Sequence, residues 1–331
     1  MTSAPILIAG FGGIGDHIRC FALARHIALQ EPGAQIDFLC RSPVDRLVPF
    51  VPHLRGAFVD DTPHGRFGLP QKLRLAARLR RQGYRRAYIV SRTLKAALVP
   101  FLAGIPERVG WFGEGRAVLI NRVCSGEARL YGETEKVCAL AFSGRLAACG
   151  AMLPPEMVIP PPVLEAWRRA ALGGMPAGPV LALGPGAYND RRIWPPERFA
   201  EIARRFARRG WDIWLLGGPR EQAVAAMIAG AAPIRDFTAT PLDAAACQLA
   251  SADLFLGNDS GLLHMAGALG VPSVGLFGPT VLEVTGPRNP GVVEVRPPDR
   301  GIDLRDVTIE AVDAALLARI AACRGLRPVS A

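Results

Sequence analysis

The sequence predicts an α/β protein built from two Rossmann-like α/β/α domains that face a central cleft. Short apolar runs of about four residues alternate with amphipathic stretches of roughly 10 to 15 residues, which is typical of parallel sheets with crossover helices. A proline-rich stretch near the middle interrupts this alternation, which then restarts. Half of the 331 residues are hydrophobic, enough to bury two cores.

In the first half, each apolar run predicts a strand and each stretch with helical spacing predicts a helix. The predicted strands are Ile6–Ala9, Gln35–Cys40, Gly56–Val59 and Ala87–Val90. The predicted helices are one that follows Gly15, a short one at Leu47–Val51, and Gln71–Arg81, Leu94–Leu102 and Glu133–Gly150.

Five prolines between Leu153 and Val163 predict a linker, which divides the chain into a domain at 1–153, a linker at 154–178 and a domain at 179–331. The strands predicted beyond the linker are Val180–Leu183, Asp212–Leu216, Ile234–Asp236, Leu254–Gly257 and Ser273–Phe277. The helices predicted there are Pro196–Arg209, Glu221–Ala229, Leu242–Ala250, Gly261–Leu269 and Thr308–Cys323.

The net charge of +10 is confined to the first half of the chain. Residues 1–150 hold 21 Lys or Arg and 11 Asp or Glu, whereas the remaining residues hold 18 of each. This asymmetry indicates an anionic partner for the first half: nucleic acid, an anionic lipid surface or a phosphorylated small molecule.

Seven cysteines without a Cys-x-x-Cys pair favour reduced thiols in a cytosolic protein. No apolar run approaches the ~18–20 residues of a transmembrane helix. The N-terminus lacks a basic region, so we expect no signal peptide.

The first glycine-rich loop, Gly10-Phe-Gly12-Gly13-Ile-Gly15, fits the pattern of a dinucleotide site after a strand. Arg41-Ser42, at the end of the next predicted strand, would suit the 2′-phosphate of NADP. Asp16 argues against this interpretation, because a carboxylate at a helix start competes with a pyrophosphate for the same amides. Asp16 is therefore either a helix N-cap or a general base beside a closely approached substrate.

A second constellation lies where two neighbouring predicted strands of the second half end. Asp259-Ser260-Gly261 begins a helix whose free amides would hold a diphosphate, with the Ser260 hydroxyl as a further donor. His264 lies one turn further on and either faces the ligand or belongs to the core. Gly278-Pro279-Thr280 forms a turn at the same sheet edge.

Two further loops follow strands at this edge. Arg191 and Arg192 precede a proline-started helix, where they either bind phosphate or lie solvated on the surface. Glu221 follows Gly217-Gly218 and either accepts hydrogen bonds from ribose hydroxyls or occupies the first turn of its helix.

Over nearly its whole length the sequence resembles glycosyltransferase family 9, the heptosyltransferase-like enzymes. The resemblance is carried by Asn258-Asp-Ser-Gly-Leu-Leu-His264 through to Leu276-Phe-Gly278-Pro-Thr280, by Arg192-Ile-Trp-Pro195, by Gly15-Asp16 and by Lys95-Ala-Ala-Leu98. The family usually has Lys where Arg192 stands.

The resemblance implies a GT-B fold and inverting transfer of heptose from ADP-L-glycero-D-manno-heptose to the lipopolysaccharide inner core, without a metal ion or other cofactor. Asp16, across the cleft from the donor, would be the general base. The implied donor-binding residues are Arg192, Glu221, Asp259, Ser260, Gly261, His264, Gly278 and Thr280. The implied acceptor-binding residues are Gly12, Gly13, Gly15, Arg92 and Lys95.

With this acceptor the basic first half would bind an anionic glycolipid, lipid A with its core, and the protein would be cytoplasmic and peripheral at the inner face of the cytoplasmic membrane. Three alternatives remain open: an NADP-dependent oxidoreductase, a basic module for nucleic acid or membrane, and a family transferase with another sugar donor. We do not expect nucleic acid as a partner, because no aromatic residues lie between the basic residues of helix 71–81 to stack on nucleobases. Arg41 and the loop 64–70 match no family role.

Overall fold

A computed structural model describes residues 4–63, 67–145 and 151–324 of the chain. The chain divides into two compact units, Met1–Glu156 and Met157–Ala331. Each unit contains one six-stranded sheet in which all paired strands run parallel. The predicted architecture of two parallel-sheet α/β domains is confirmed.

The elements alternate along both units as the sequence predicts. The strands are β1 Ile6–Ala9, β2 Ile36–Cys40, β3 Leu54–Val59, β4 Arg86–Ile89, β5 Glu107–Trp111, β6 Arg122–Cys124, β7 Val180–Gly184, β8 Asp212–Gly217, β9 Arg235–Thr238, β10 Leu254–Asn258, β11 Ser273–Leu276 and β12 Val292–Val295. The α-helices are α1 Ile14–Gln30, α2 Leu69–Arg80, α3 Leu94–Leu102, α4 Glu133–Ala139, α5 Pro161–Leu172, α6 Pro196–Arg208, α7 Gln222–Ala229, α8 Leu242–Ala250, α9 Gly261–Ala268, α10 Leu282–Thr285 and α11 Ile309–Arg324.

Both sheets have the same strand order. The first runs β3-β2-β1-β4-β5-β6 and the second β12-β11-β10-β7-β8-β9, which is the same arrangement when strands are counted from the start of each unit. The order reverses between β1 and β4 in the first unit and between β7 and β10 in the second. Ligands of such sheets bind outside the carboxyl ends of the strands at this reversal.

Apolar strands and helix faces build one core in each unit. β1 is buried at all four positions, and the buried face of α2 packs into the first core through Leu75 and Leu79. In the second unit Phe199, Phe206 and Trp194 pack around the sheet with their side chains fully buried. Each such side chain contributes about 1.5–3 kcal/mol of burial free energy, which holds the strand ends in place.

The helix predicted at Glu133–Gly150 ends earlier than expected. α4 stops at Ala139, and a 3₁₀ turn continues only to Phe142. Ser143 and Gly144 then adopt left-handed conformations, with φ of 54° and 87°, which terminates a helix. Residues 146–150 of the predicted helix lie outside the described part of the chain.

The interval 154–178, interpreted as a linker, contains helix α5. Its N-cap is Pro160 and its first residue is Pro161. Proline suits the first turn of a helix, because the amide it lacks has no partner inside the helix there. The prolines thus precede and begin a helix.

No helix in the described part of the chain is long and apolar enough to cross a membrane. The cysteines described as free are Cys20, Cys40, Cys124, Cys138, Cys247 and Cys323. Burial raises the pKa of Cys40 to about 12 and that of Cys124 to about 11, so these thiols stay protonated at neutral pH.

Candidate functional site

The start of α9 lies at the carboxyl end of β10 and has features that favour an anion. Ser260 is the N-cap with an extended backbone, and its side chain does not cap the helix. Within the described residues its Oγ is buried and has no hydrogen-bond partner. The first four amides of a helix have no partner within the helix. Ser260 Oγ therefore adds a donor to a helix start that already favours negative charge.

Asp259 joins the loops around this helix start. Its Oδ2 accepts hydrogen bonds from Arg192 Nη1 at 3.1 Å, from Thr280 Oγ1 at 2.7 Å and from Thr285 Oγ1 at 3.3 Å. Asp259 is 3% exposed, whereas the side chain of Arg192 keeps 33% of its surface. The buried carboxylate thus orients a partly exposed guanidinium, and the structure brings together three of the residues predicted from sequence.

Asn258, which is part of the motif but received no role from the sequence, joins the end of β10 to the loop that follows β7 by two hydrogen bonds. Its Oδ1 accepts from the amide of Trp194 at 3.1 Å, and its Nδ2 donates to the carbonyl of Pro185 at 2.6 Å. The Trp194 Nε1 in turn donates to the carbonyl of Val307 at 2.9 Å. These bonds fix the turn that carries Arg192.

Glu221 caps its own helix start. Its Oε2 accepts from the amide of Gly218 at 2.7 Å, as a first-turn glutamate does. A Cβ added at Gly186 would lie 2.5 Å from Glu221 Oε1, so the carboxylate also contacts the loop after β7. In this structure Glu221 therefore makes the contacts of a residue in the first turn of its own helix.

Two other predicted residues lie near the same strand ends. His264 is 2% exposed within α9. A Cβ at Gly278 would lie 2.6 Å from the carbonyl oxygen of Ile302, so glycine is required there by a close approach of two backbones. Gly278 thus has a packing reason to be present beside any role in binding.

In the first unit, Asp16 lies in the first turn of α1, just after the glycine loop that follows β1. The helix N-cap is Gly13, and Asp16 is the third helical residue, so the expectation that Asp16 is the N-cap is wrong. Its Oδ2 accepts from the amide of Gly13 at 2.9 Å, and its other oxygen forms an ion pair with Arg19. The carboxylate therefore occupies a loop amide that a dinucleotide pyrophosphate would need.

Gly12 is required by this arrangement. It has a φ of +76°, and a Cβ there would overlap with Asp16 Oδ2. His17 lies beneath the loop and donates from Nδ1 to the carbonyl of Gly13 at 2.8 Å. Burial lowers the pKa of His17, so the ring is neutral at neutral pH.

The predicted acceptor residues Arg92 and Lys95 lie at the carboxyl end of β4, the neighbour of β1. Arg92 forms an ion pair with Glu127, and Lys95 is exposed in the first turn of α3. Thr93 is the N-cap of α3, and its side chain accepts from the amide of Ala96. The two predicted cations therefore lie on either side of the N-cap of α3.

Arg116, which the sequence analysis missed, holds that loop. Its buried guanidinium donates to the carbonyls of Ser91, of Thr93 at 3.1 Å and of Trp111 at 2.7 Å. Burial lowers its pKa to about 10. Nothing in its sequence spacing distinguishes it from the other arginines of the chain.

Arg41 has a structural partner. Its Nη2 donates to the carbonyl of Thr62 at 2.7 Å and so joins the segments after β2 and β3. Of the loop 64–70, residues 64–66 lie outside the described part of the chain. Among the residues that the structure describes, no group of three or more His, Cys, Asp or Glu side chains is placed to hold a metal ion.

Comparisons with known proteins agree with the resemblance seen in the motifs. A family model described as glycosyltransferase family 9 (heptosyltransferase) matches residues 72–306. Lipopolysaccharide heptosyltransferase 2 of Escherichia coli (strain K12) is 31% identical over 296 residues, which cover 85% of each chain. Lipooligosaccharide heptosyltransferase 2 of Haemophilus influenzae is 29% identical with the same coverage. The solved E. coli ADP-heptose LPS heptosyltransferase II superposes with a TM-score of 0.87 at 27% identity, covering 97% of this chain and 99% of that one.

Proposed function

Because the chain belongs to glycosyltransferase family 9, we propose that it transfers heptose from ADP-L-glycero-D-manno-heptose to the lipopolysaccharide inner core. The names of its relatives support both substrates, since they describe ADP-heptose and lipopolysaccharide heptosyltransferases. The observation that carries the proposal is the site around Asp259, where an oriented arginine lies beside an open helix start.

The second unit holds ADP in this proposal. The amides at the start of α9 and the Ser260 hydroxyl, which has no partner among the described residues, bind the diphosphate, and Arg192 adds a guanidinium held by Asp259. Negative charge grows on the diphosphate as the sugar leaves. Preorganised donors aimed at such charge are worth roughly 3 kcal/mol each in other enzymes.

The first unit supplies the base. Asp16 takes the proton from the acceptor hydroxyl while that oxygen attacks C1 of the heptose and the bond from C1 to the diphosphate breaks. The configuration at C1 inverts, and the transition state resembles an oxocarbenium ion. Arg19 and the amide of Gly13 orient the Asp16 carboxylate, of which 34% remains exposed for this proton transfer.

The acceptor is an anionic glycolipid, lipopolysaccharide core attached to lipid A. We assign its contacts to the glycine loop at Gly12, Gly13 and Gly15 and to the cations Arg92 and Lys95. The basic first half suits phosphorylated, acidic sugars. We place the protein in the cytoplasm, peripheral at the inner face of the membrane, and we expect transfer to proceed without an added metal ion.

Incubation with ADP-heptose and a series of lipopolysaccharide acceptors truncated at successive positions of the inner core tests the proposal, with mass spectrometry of the acceptor as the readout. We expect the acceptor to gain one heptose, in chelator as well as in buffer, and the new linkage to be inverted by NMR. A panel of other nucleotide-sugars is the control. Turnover of another donor in preference to ADP-heptose, or no gain of mass, would contradict the proposed substrates.

A further inference from the structure

The whole basic excess of the chain lies in one stretch of sequence. Between Thr62 and Pro106 there are ten Lys or Arg residues and no Asp or Glu, which equals the net charge of +10. This stretch contains helix α2, β4 and helix α3. Helix α2 holds four of these ten cations, β4 and α3 hold one each, and the others lie in the segments beside these elements.

Several of these cations are used inside the fold. Lys72 pairs with Asp60 at 3.0 Å, Arg86 pairs with Glu107 at 2.7 Å, and Arg80 donates to the carbonyl of Leu102 at 2.6 Å. Such contacts explain part of the stretch as structure. They leave the outward cations of α2 to be explained.

Those outward cations are Arg74, Arg78 and Arg81, which are exposed on α2 and just after its last residue. The guanidinium of Arg78 lies 5.6 Å from the centre of the Phe58 ring. α2 itself contains no acidic residue, so no intrahelical pair offsets these charges.

The same surface exposes large apolar side chains. Leu69 and Leu73, one turn apart, are 46% and 48% exposed, and Phe67 just before the helix is 47% exposed. Other apolar residues of α2, Leu75 and Leu79 among them, fill the core. The outer face is therefore apolar along one stripe and basic beside it, which is how helices that lie in a membrane interface are built.

We propose that this outer face of α2, with Phe67, is a docking surface for an anionic lipid bilayer. The leucines and Phe67 enter the headgroup boundary, and the three arginines contact lipid phosphates. Each arginine near such a surface contributes roughly a fivefold gain in binding. Nucleic acid fits less well, because α2 itself has no aromatic residue and Phe67 gives the surface just one aromatic ring on which a base could stack.

This inference rests on the proposed function only for its biological role, because a lipid-linked acceptor would bring the protein to a membrane. It is tested without donor or acceptor, by flotation of the full chain with vesicles of phosphatidylglycerol and phosphatidylethanolamine and with vesicles of phosphatidylcholine alone. We expect binding to the anionic vesicles alone, weakening as salt is raised.

The variant Arg74→Gln/Arg78→Gln/Arg81→Gln should lower binding to anionic vesicles at least about tenfold. The matched control is Arg169→Gln/Arg208→Gln/Arg305→Gln, which removes the same charge from exposed positions of the second unit and should bind nearly as the unaltered protein does. Leu69→Ser/Leu73→Ser should weaken the binding that remains at high salt. Unchanged thermal unfolding midpoints should show that all three variants fold.

An equal loss of vesicle binding in the two triple variants would overturn the proposed docking surface, as would binding of RNA in place of vesicles. Transfer to a delipidated, soluble acceptor separates this inference from the proposed function. Normal transfer without vesicle binding contradicts the surface alone, whereas vesicle binding without transfer contradicts the function alone.

Discussion

The hydroxyl of Ser260 is buried at the start of α9 and has no partner among the described residues. Ser260→Ala should therefore weaken ADP binding about tenfold, because one donor to the diphosphate is lost, while the free energy of unfolding stays within about 0.5 kcal/mol because no internal bond is broken. Calorimetric titration with ADP and urea unfolding measure the two quantities. Lower stability with unchanged ADP affinity would mean that the hydroxyl serves the fold.

His17 should make the fold sensitive to acid. Burial lowers its pKa, so the unfolded chain binds a proton near pH 6.5 that the folded chain does not. The stability present above pH 6.5 should therefore decline as the pH falls toward the lowered folded pKa, by up to about 1.4 kcal/mol per pH unit. Urea midpoints between pH 7.5 and roughly 5 measure this.

His17→Gln should reduce that decline, since glutamine does not titrate and can donate to the same carbonyl. The control is His53→Asn, at an exposed histidine with a φ of 73°, a conformation that asparagine tolerates. A slope that His17→Gln leaves unchanged, or that His53→Asn reduces equally, would contradict the assignment.

Single residues with local signals could be predicted, and residues defined by tertiary contacts could not. Asp16 and Asp259 stood out because glycines and strand ends surround them in the sequence. Arg19 and Arg116 did not, because their contacts, with the Asp16 carboxylate and with three backbone carbonyls, are defined only in the folded chain. The third-residue position of Asp16 depended on where α1 begins, which sequence locates only to within a few residues.

At the level of elements, Asn258 should matter for stability as much as for the site. Asn258→Ala leaves the amide of Trp194 and the carbonyl of Pro185 buried without their partner, at about 1–3 kcal/mol for each group. We therefore expect a loss of roughly 2–5 kcal/mol in the free energy of unfolding by denaturant.

Asn121 offers a matched control, because it makes the same pair of bonds at an exposed position. Its Oδ1 accepts from the amide of Arg108 at 2.8 Å, and its Nδ2 donates to the carbonyl of Pro106 at 2.7 Å. In Asn121→Ala water replaces both bonds, so the loss should be about 1 kcal/mol or less. Equal losses in the two variants would show that burial of Asn258 has no special effect.

The central strands of each sheet were predicted from sequence, as were the edge strands β3 and β9, whereas β5, β6 and β12 were not. β1, β7 and β10 are buried on both faces and are therefore continuous apolar runs. β6 and β12 lie at the edges of their sheets and keep exposed or half-exposed residues, so their sequences carry no comparable signal. Helix α5 was hidden by the prolines that begin it.

In the molecule as a whole, the sequence predicted that strands and helices alternate in both units. It did not predict that the two sheets share one strand order. The order itself depends on which strands pair, which short apolar runs do not specify. The charge asymmetry was visible in the sequence, and the structure adds that some of the cations between Thr62 and Pro106, such as Lys72 and Arg86, form ion pairs within the fold. Composition alone therefore overstated the charge available to a partner.

The central claim is that the two units divide the chemistry, with Asp16 as base in the first and the Asp259–Arg192 pair as ADP holder in the second. The most direct test measures kcat for heptose transfer and the donor Kd side by side in Asp16→Asn and Arg192→Gln. Asp16→Asn should lower kcat at least about 100-fold with an unchanged donor Kd, and Arg192→Gln should raise the donor Kd about tenfold or more. Normal kcat in Asp16→Asn at saturating donor, or an unchanged Kd in Arg192→Gln, would contradict the account.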